Sequence, residues 1–297
     1  MDITHANLAD LNTNYTAVFN ERLTGTETTY GRIAMTVNST GSQNTYPRLQ
    51  EMPGMRKWVG ERFVNRLEAD GFTIQNEKYE NTVAVPVDTI ADDQYGIYAP
   101  LMGDMGQTAA ELPDEMVWPQ LAAGFDTLGH DGQYFFDTDH PVEDENGEEQ
   151  SVSNFGGGAG TPWFLIDTTR VIKPIIFQDR MAAQITPKTS LTDDNVFERD
   201  EFVWGAKRRC ATGFGAWQLA YGSRQTLDEA NLGAAISAMR EMRGRRGRKL
   251  NLRPTLLVVP PSLEITGRKL LLAEMNAAGA SNVVRGMVSE LHVENRL

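Results

Sequence analysis

The densest group of acid–base side chains is Asp137-Thr138-Asp139-His140, with His130 and Asp131 just upstream. Carboxylate oxygens and imidazole nitrogens are ordinary ligands of a divalent ion, so metal-assisted hydrolysis is the chemistry such a group would support. The competing account is a turn in which Asp and His cap backbone amides, and it is favoured because no partner at ligand spacing stands elsewhere. Gly156-Gly157-Gly158-Ala159-Gly160 has the look of a phosphate loop, but no Lys-Ser or Lys-Thr follows it. Gly213-Phe214-Gly215 has Gln218 where a dinucleotide fingerprint needs its third glycine. Cys210 follows Arg208 and Arg209, cations that lower a thiol pKa, yet a single cysteine in a strand-rich stretch reads first as packing. The motifs imply no catalytic residue, no metal ligand and no cofactor.

Charge patterning says more. Arg243, Arg245, Arg246, Arg248 and Lys249, preceded by Arg240, form a basic cluster offset only by Glu241. The whole chain carries −12, with 28 Lys and Arg against 40 Asp and Glu. A solvated helix end is the ordinary explanation, because cations favour a helix C-terminus. Residues 131–150 hold eight acidic side chains, Glu143, Asp144 and Glu145 among them, and no Lys or Arg. Composition makes this segment a mobile acidic loop. The excess of carboxylate predicts that the basic cluster pairs with Glu143–Glu149 of a neighbouring subunit. Contact with nucleic acid is the other possibility, against which the global charge argues, since phosphate neutralisation supplies most nucleic-acid affinity.

These segments need elements to position them. Leu8, Leu11, Tyr15, Val18, Phe19 and Leu23 are spaced for one short amphipathic helix, and Tyr30–Val37 reads as a strand. The first 45 residues otherwise suit either a floppy terminus or an extended arm ordered by a neighbouring subunit. Residues 62–88 predict a long hairpin that turns at Asp70-Gly71 and lies on another molecule, because a two-stranded ribbon is marginal alone. A helix is expected from about Asp92 to Gly124, kinked or broken at Pro113. Strands are expected at Trp163–Ile166, Val171–Phe177, Phe197–Trp204 and Phe214–Tyr221. Thr226-Leu227-Asp228-Glu229 fits a capping box, opening a helix with Leu227, Ala230, Leu232, Ile236 and Met239 inward. A buried strand at Thr255–Val259 and a helix through Leu263, Leu270 and Leu271 complete the chain.

A length of 297 residues sets a prior of two domains, and 40% hydrophobic content supports a real core. The 27 Gly and 13 Pro suggest many turns and long excursions. No run of 18 or more apolar residues is present, and the first residues lack the cationic and apolar regions of a signal peptide. One cysteine excludes an internal disulfide framework. The expectation is a soluble protein of a reducing cytoplasm, with no membrane partner.

The central and C-terminal thirds resemble the major head proteins of Mu-like bacteriophages, the gpT type. The likeness rests on Gly96-Ile97-Tyr98-Ala99-Pro100, Asp131-Gly132-Gln133-Tyr134-Phe135-Phe136-Asp137 with His140-Pro141, and Lys173-Pro174-Ile175-Ile176-Phe177-Gln178. It continues through Glu201-Phe202-Val203-Trp204-Gly205-Ala206, Gly213-Phe214-Gly215-Ala216-Trp217-Gln218, and Leu252-Arg253-Pro254 with Val258-Val259-Pro260. Tyr30, Ile33-Ala34-Met35, Val37-Asn38-Ser39 and Trp58-Val59-Gly60 extend it upstream. Each motif is weak alone; their order and spacing over most of the chain are not.

The resemblance implies an α+β chain with the tailed-phage capsid fold of the Hong Kong 97 type. Residues 1–50 would be the N-terminal arm and 51–90 the E-loop region. Residues 91–126 and 161–224 would form the peripheral (P) domain with its spine helix at about 92–124. Residues 127–160 would be an acidic, glycine-rich loop, and 225–297 the axial (A) domain. It further implies pentamers and hexamers of an icosahedral virion head, assembled in the host cytoplasm around double-stranded DNA. Portal, scaffold and decoration proteins would be its partners, with no cofactor and no enzymatic activity. Asp70, Gly71, Glu143, Asp144, Glu145, Arg243, Arg245, Arg246, Arg248 and Lys249 are the candidate assembly contacts. An encapsulin-like compartment of the same fold and a hydrolase using Asp137, Asp139 and His140 are the rival readings.

Overall fold

A computed structural model describes residues 2–47, 71–93, 96–276 and 279–297. The chain begins with helix α1 (His5–Gly25), strands β1 (Ala34–Asn38), β2 (Gln43–Tyr46), β3 (Phe72–Gln75) and β4 (Glu77–Pro86), then helices α2 (Val87–Ala91) and α3 (Tyr98–Ala122). Strands β5 (His140–Glu143), β6 (Glu149–Val152), β7 (Phe155–Gly158), β8 (Trp163–Ile166) and β9 (Ile175–Lys188) follow, with helix α4 (Asp194–Arg199) and β10 (Glu201–Phe214). The remainder is β11 (Ala220–Arg224), α5 (Glu229–Glu241), β12 (Arg243–Gly244), β13 (Arg248–Lys249), β14 (Leu256–Val259), α6 (Glu264–Leu272) and β15 (Glu290–Val293).

Thr4 opens α1, its hydroxyl accepting from the Asn7 amide at 3.2 Å. Leu8, Tyr15 and Phe19 of α1 are buried against Met102, Met105, Phe202 and Trp204. Close approach of α1 to α3 is set by Gly106, where a Cβ would collide with the Phe19 main chain. Asn12 adds side-chain bonds to Trp204 Nε1 at 3.0 Å and Thr189 Oγ1 at 2.8 Å. The helix is therefore ordered by its own chain and does not depend on a neighbouring subunit for structure.

Helix α3 runs through Pro113 and Pro119 without a break. Pro113 has no amide for the Ala109 carbonyl, and Arg208 Nη1 donates to that carbonyl instead, at 3.2 Å. The missing helix bond is thus replaced from the adjacent sheet. The helix starts at Tyr98, later than expected, because Asp93 Oδ1 accepts from the Gly96 amide at 2.9 Å and turns the chain there.

One sheet has the order β1-β9-β10-β4, and a second the order β15-β14-β8-β11-β7. The first packs with α1 and the N-terminal half of α3. The second shares a larger core with α5 and with Val117, Trp118 and Leu121 of α3. The second sheet spans the expected split at residue 224: β8 bonds with both β11 and β14, so 163–166 and 220–224 share it with 256–259.

Several local expectations change for identifiable reasons. Phe72–Gln75 pairs with Gln43–Tyr46. Asp70 and the 62–69 segment lie outside the described residues. Gly71 has no positive φ; it is required because a Cβ would collide with the Tyr46 carbonyl. Strand β9 begins at Ile175, α4 occupies 194–199, and a 3-10 turn separates β10 from β11. The cap of α5 is Asp228, accepting from the Asn231 amide at 2.8 Å, and Ala230 is exposed. Glu229 instead holds Asn276 Nδ2 at 3.1 Å and the Val283 amide at 3.4 Å.

Gly106→Val should destabilise the free subunit by about 1–3 kcal/mol, the usual cost of forcing volume into a packed contact. Gly233→Ala on α5, where a Cβ meets nothing within 4 Å, should be neutral or stabilising. Urea unfolding of the two variants checks the contrast.

Candidate functional site

The residues that looked catalytic form a buried structural knot. The His140 ring is fully buried and stacks on Trp217, with centroids 3.8 Å apart. Its Nδ1 lies 2.7 Å from Asp131 Oδ2 and its Nε2 lies 3.1 Å from Asn154 Oδ1. Asn154 Nδ2 faces the carbonyls of Phe135, Trp217 and Ala220, so its oxygen is the atom turned to the histidine. The ring is thus held on both nitrogens, by Asp131 on one side and Asn154 on the other. Burial is the largest influence on the Asp131 pKa and would raise it, but the hydrogen bond and charge of His140, the His130 charge and the Gln133 amide together hold the carboxyl below its usual range. Asp137 accepts from the amides of Tyr134 and Thr138. Residues 140–152 are consequently an anchored hairpin, β5 with β6, and not the mobile loop that the composition of 131–150 suggested.

No group of three or more His, Cys, Asp or Glu able to hold a metal ion occurs among the described residues. Burial pushes the Cys210 thiol up to about 11, and its Sγ lies 3.6 Å from Met116 Sδ, which is packing. Gly158, at φ +91°, is needed because a Cβ would overlap the Arg224 main chain. That strand-edge contact accounts for the glycine run without a phosphate.

The acidic and basic segments do meet, inside one chain. Arg245 forks onto Glu143, with Nε to Oε2 at 2.7 Å and Nη2 to Oε1 at 3.1 Å. That bond depresses the Glu143 pKa. Arg245–Gly247 forms a tight turn between β12 and β13, with Arg246 at φ +60°, and Arg243 Nη1 donates to the Gly247 carbonyl at 3.2 Å. Gly247 abuts the side chain of Glu145. Asp144 accepts from the amides of Glu148 and Asn146, which lowers its pKa and closes the β5–β6 turn. Arg248 and Lys249 are exposed on β13. The pairing predicted for a neighbour is thus already made by Arg245 and Glu143 at home.

Two further anchors were not anticipated. Gln178, fully buried on β9, accepts from Tyr46 Oη at 2.7 Å and donates to Asn76 Oδ1 at 2.7 Å and the Ile74 carbonyl at 3.2 Å. Asn76 passes the network to Ser39 Oγ at 2.8 Å. This network fixes the root of the β2–β3 ribbon to the first sheet. The second anchor is Asp114, which accepts from the amides of Thr29 and Tyr30 at 3.0 Å and 2.6 Å. Beside it Trp118 Nε1 donates to Thr29 Oγ1 at 3.0 Å and its ring stacks on His292. Arg32 donates to His292 Nδ1 at 3.0 Å and to Glu290 at 2.6 Å, joining the 29–32 turn to β15. Burial pushes the His292 pKa down, and its Nε2 donates to Glu294. A polar residue at the end of an apolar run was the available signal for Gln178, which follows Ile175-Ile176-Phe177; Asp114, between Pro113 and Glu115, carried no such signal.

Two-stranded ribbons on a body held by buried polar anchors, with no catalytic centre found among the described residues, are the geometry of a building block. The family model described as Mu-like prophage major head subunit gpT matches residues 8–295. The chain belongs to that family. A major capsid protein of Escherichia phage Mu is 38% identical over 299 residues, covering 99% of this chain and 98% of the relative. The Mu-like prophage FluMu major head subunit of Haemophilus influenzae is 41% identical over 266 residues, or 87% and 86% of the two chains. A chain from the procapsid of bacteriophage JBD30 superposes at TM-score 0.89 with 39% identity, covering 99% of this chain and 100% of that one. A chain from the JBD30 capsid gives 0.77 and 29%, covering 100% and 99%. The α+β architecture is accordingly the Hong Kong 97-type capsid fold, and this head subunit is a capsid component that forms the icosahedral shell of a Mu-like phage. Among the described residues no helix is long and apolar enough to cross a membrane.

Two predictions concern the free head subunit. His140→Ala should cost about 3–5 kcal/mol, since it strands a buried carboxylate. Because Asp131 titrates below 3.8, its contribution is complete above that pH and is lost as pH falls through the folded value. Asp131→Asn should therefore flatten the acid limb of the stability–pH curve, read by urea unfolding at a series of pH values. A double-mutant cycle on Arg245→Gln and Glu143→Gln should give a coupling of only about 0–1 kcal/mol, because both partners are exposed.

Proposed function

We propose that this head subunit assembles into pentamers and hexamers and that the resulting shell encloses double-stranded DNA. The observation that carries the reading is the superposition on the JBD30 procapsid chain over nearly the whole length. The lower score against the JBD30 capsid chain supports reading the described conformation as that of the precursor shell. In this reading the first sheet and α3 are the P-domain and its spine, and the second sheet with α5 and α6 is the A-domain. The β2–β3 ribbon is the root of the E-loop, and 1–50 act as the N-terminal arm. Asp70 and Gly71, in or beside the E-loop, would meet an adjacent subunit. Arg243, Arg246, Arg248 and Lys249, with Asp144 and Glu145, would supply weak contacts that gain strength by repetition over many copies.

Portal and scaffold proteins are the remaining proposed partners, in a host cytoplasm. The capsid of JBD30 decorated with minor capsid protein trimers supports a decoration partner as well. A net charge of −12 keeps the inner surface from trapping DNA during packaging. The subunit acts through surfaces and carries out no reaction; neither the hydrolase nor the cellular-compartment alternative is favoured by the relatives found.

Electron micrographs of the purified protein should show closed shells with rings of five and six subunits. A monodisperse monomer from micromolar to millimolar concentration would overturn the reading.

A further inference from the structure

A polar contact crosses from the first sheet to the second. The Thr29–Arg32 turn leads into β1 of the first sheet, and β15 is the outermost strand of the second. Arg32 places Nη1 3.0 Å from His292 Nδ1 and Nη2 2.6 Å from Glu290 Oε2. A guanidinium has donors only, so His292 Nδ1 must present a lone pair. The ring proton then sits on Nε2, 3.2 Å from Glu294 Oε2. The Arg32 bond therefore exists only while the imidazole is neutral.

The charges around the ring come from each side. Arg32 faces it from the turn, with Glu290 behind, Glu294 from the end of β15, and Asp114 from α3. Arg296 bonds Glu294 at 3.2 Å, and β14 offers only the apolar Val258 opposite His292. Burial disfavours the proton most and Arg32 adds to it, while Glu294 and Asp114 oppose them. The balance holds the ring below the ordinary histidine value of 6.5. The side chain is 12% exposed, so a proton from solvent reaches it.

Protonation at Nδ1 sets two donors and two positive charges against each other, so one partner must leave. The ring is held in either state. It stacks on Trp118 with centroids 4.6 Å apart, a contact that favours a cation, and Nε2 keeps Glu294. Arg32 is the partner free to swing, being 38% exposed and paired with the exposed Glu290. Asp114 still accepts from the Thr29 and Tyr30 amides, which confines the release to Arg32 and Ile33. We propose that His292 is a proton-controlled latch between the two sheets: neutral, it holds Arg32 against β15, and protonated, it lets Arg32 go. A folded value below the unfolded one means that the latch is closed above pH 6.5 and opens as pH falls through the folded value. The inference concerns the free subunit and does not depend on how copies assemble.

Ring-proton NMR and hydrogen exchange on the free subunit test it, with the His292 signal identified by its loss in His292→Gln. In the wild type the His292 midpoint should lie below 6.5. In Arg32→Gln it should rise by about half a pH unit or more, because a facing cation is gone. Between pH 7.5 and pH 5 the Arg32 and Ile33 amides should lose about fivefold or more of their protection, after correction for the intrinsic pH dependence of exchange. Amides of 290–293 should keep theirs, since β14 still pairs with them. In His292→Gln the acid loss at Arg32 and Ile33 should disappear. A wild-type midpoint at or above 6.5, or one that Arg32→Gln leaves unmoved, would overturn the latch. So would an acid loss that persists in His292→Gln, or one that extends over 290–293, since the strand itself would then be unfolding. Arg32 is exposed, so Arg32→Gln folds and its titration decides the matter even if His292→Gln does not.

Discussion

Helix α3 has to pass unbroken from Tyr98 to Ala122, because its first half closes one core and its second half another. Met102 and Met105 meet α1 and the first sheet, whereas Val117, Trp118 and Leu121 meet the second. A break at Pro113 would separate the two. The Arg208 bond to the Ala109 carbonyl replaces the hydrogen bond that the proline removes. The same Arg208 pairs with Asp179 at 3.3 Å, so the repair is itself held in place by the first sheet. Everything that the subunit projects outward is aimed from this frame.

Buried polar groups then fix the aim. Gln178 ties the β2–β3 ribbon to the sheet, Asp114 ties the 29–32 turn to α3, and the His140–Asp131–Asn154 knot ties the acidic hairpin to the second core. Each is satisfied on several sides, which is what makes a buried polar network rigid rather than costly. The exposed ion pairs contrast with them. Arg245 with Glu143 and Arg268 with Glu264 have good geometry but sit in solvent, where a pair contributes little. For a subunit that must fold once and then join many neighbours, the division is useful. Internal anchors hold shape, while the surface keeps weak contacts that add up only when repeated.

Much of the element content could be read from pattern. The α1 spacing, the long apolar stripe of α3, the β8 run and the helix at α5 all follow from periodicities that depend on local geometry. Two features have a common origin. Composition made 131–150 mobile, yet His140 and Asp131 fix it from inside. Gly71 likewise answers to a contact with the Tyr46 carbonyl, twenty-five positions away in sequence. In both cases the deciding partner is distant along the chain, and no local rule carries it.

By itself the sequence determined the family, through many weak motifs in fixed order, and with it the fold class and the role of a capsid subunit. It also determined that cations and carboxylates would pair, because opposite charges in excess find each other in any compact arrangement. Only the tertiary structure decided where. Arg245 reaches Glu143 of its own chain, Arg208 reaches the carbonyl that Pro113 leaves open, and β8 bridges β11 and β14 in one sheet. These outcomes depend on which segments packing brings within about 3 Å. Spacing along a chain fixes periodicity, but it does not fix distances between residues that meet only after folding.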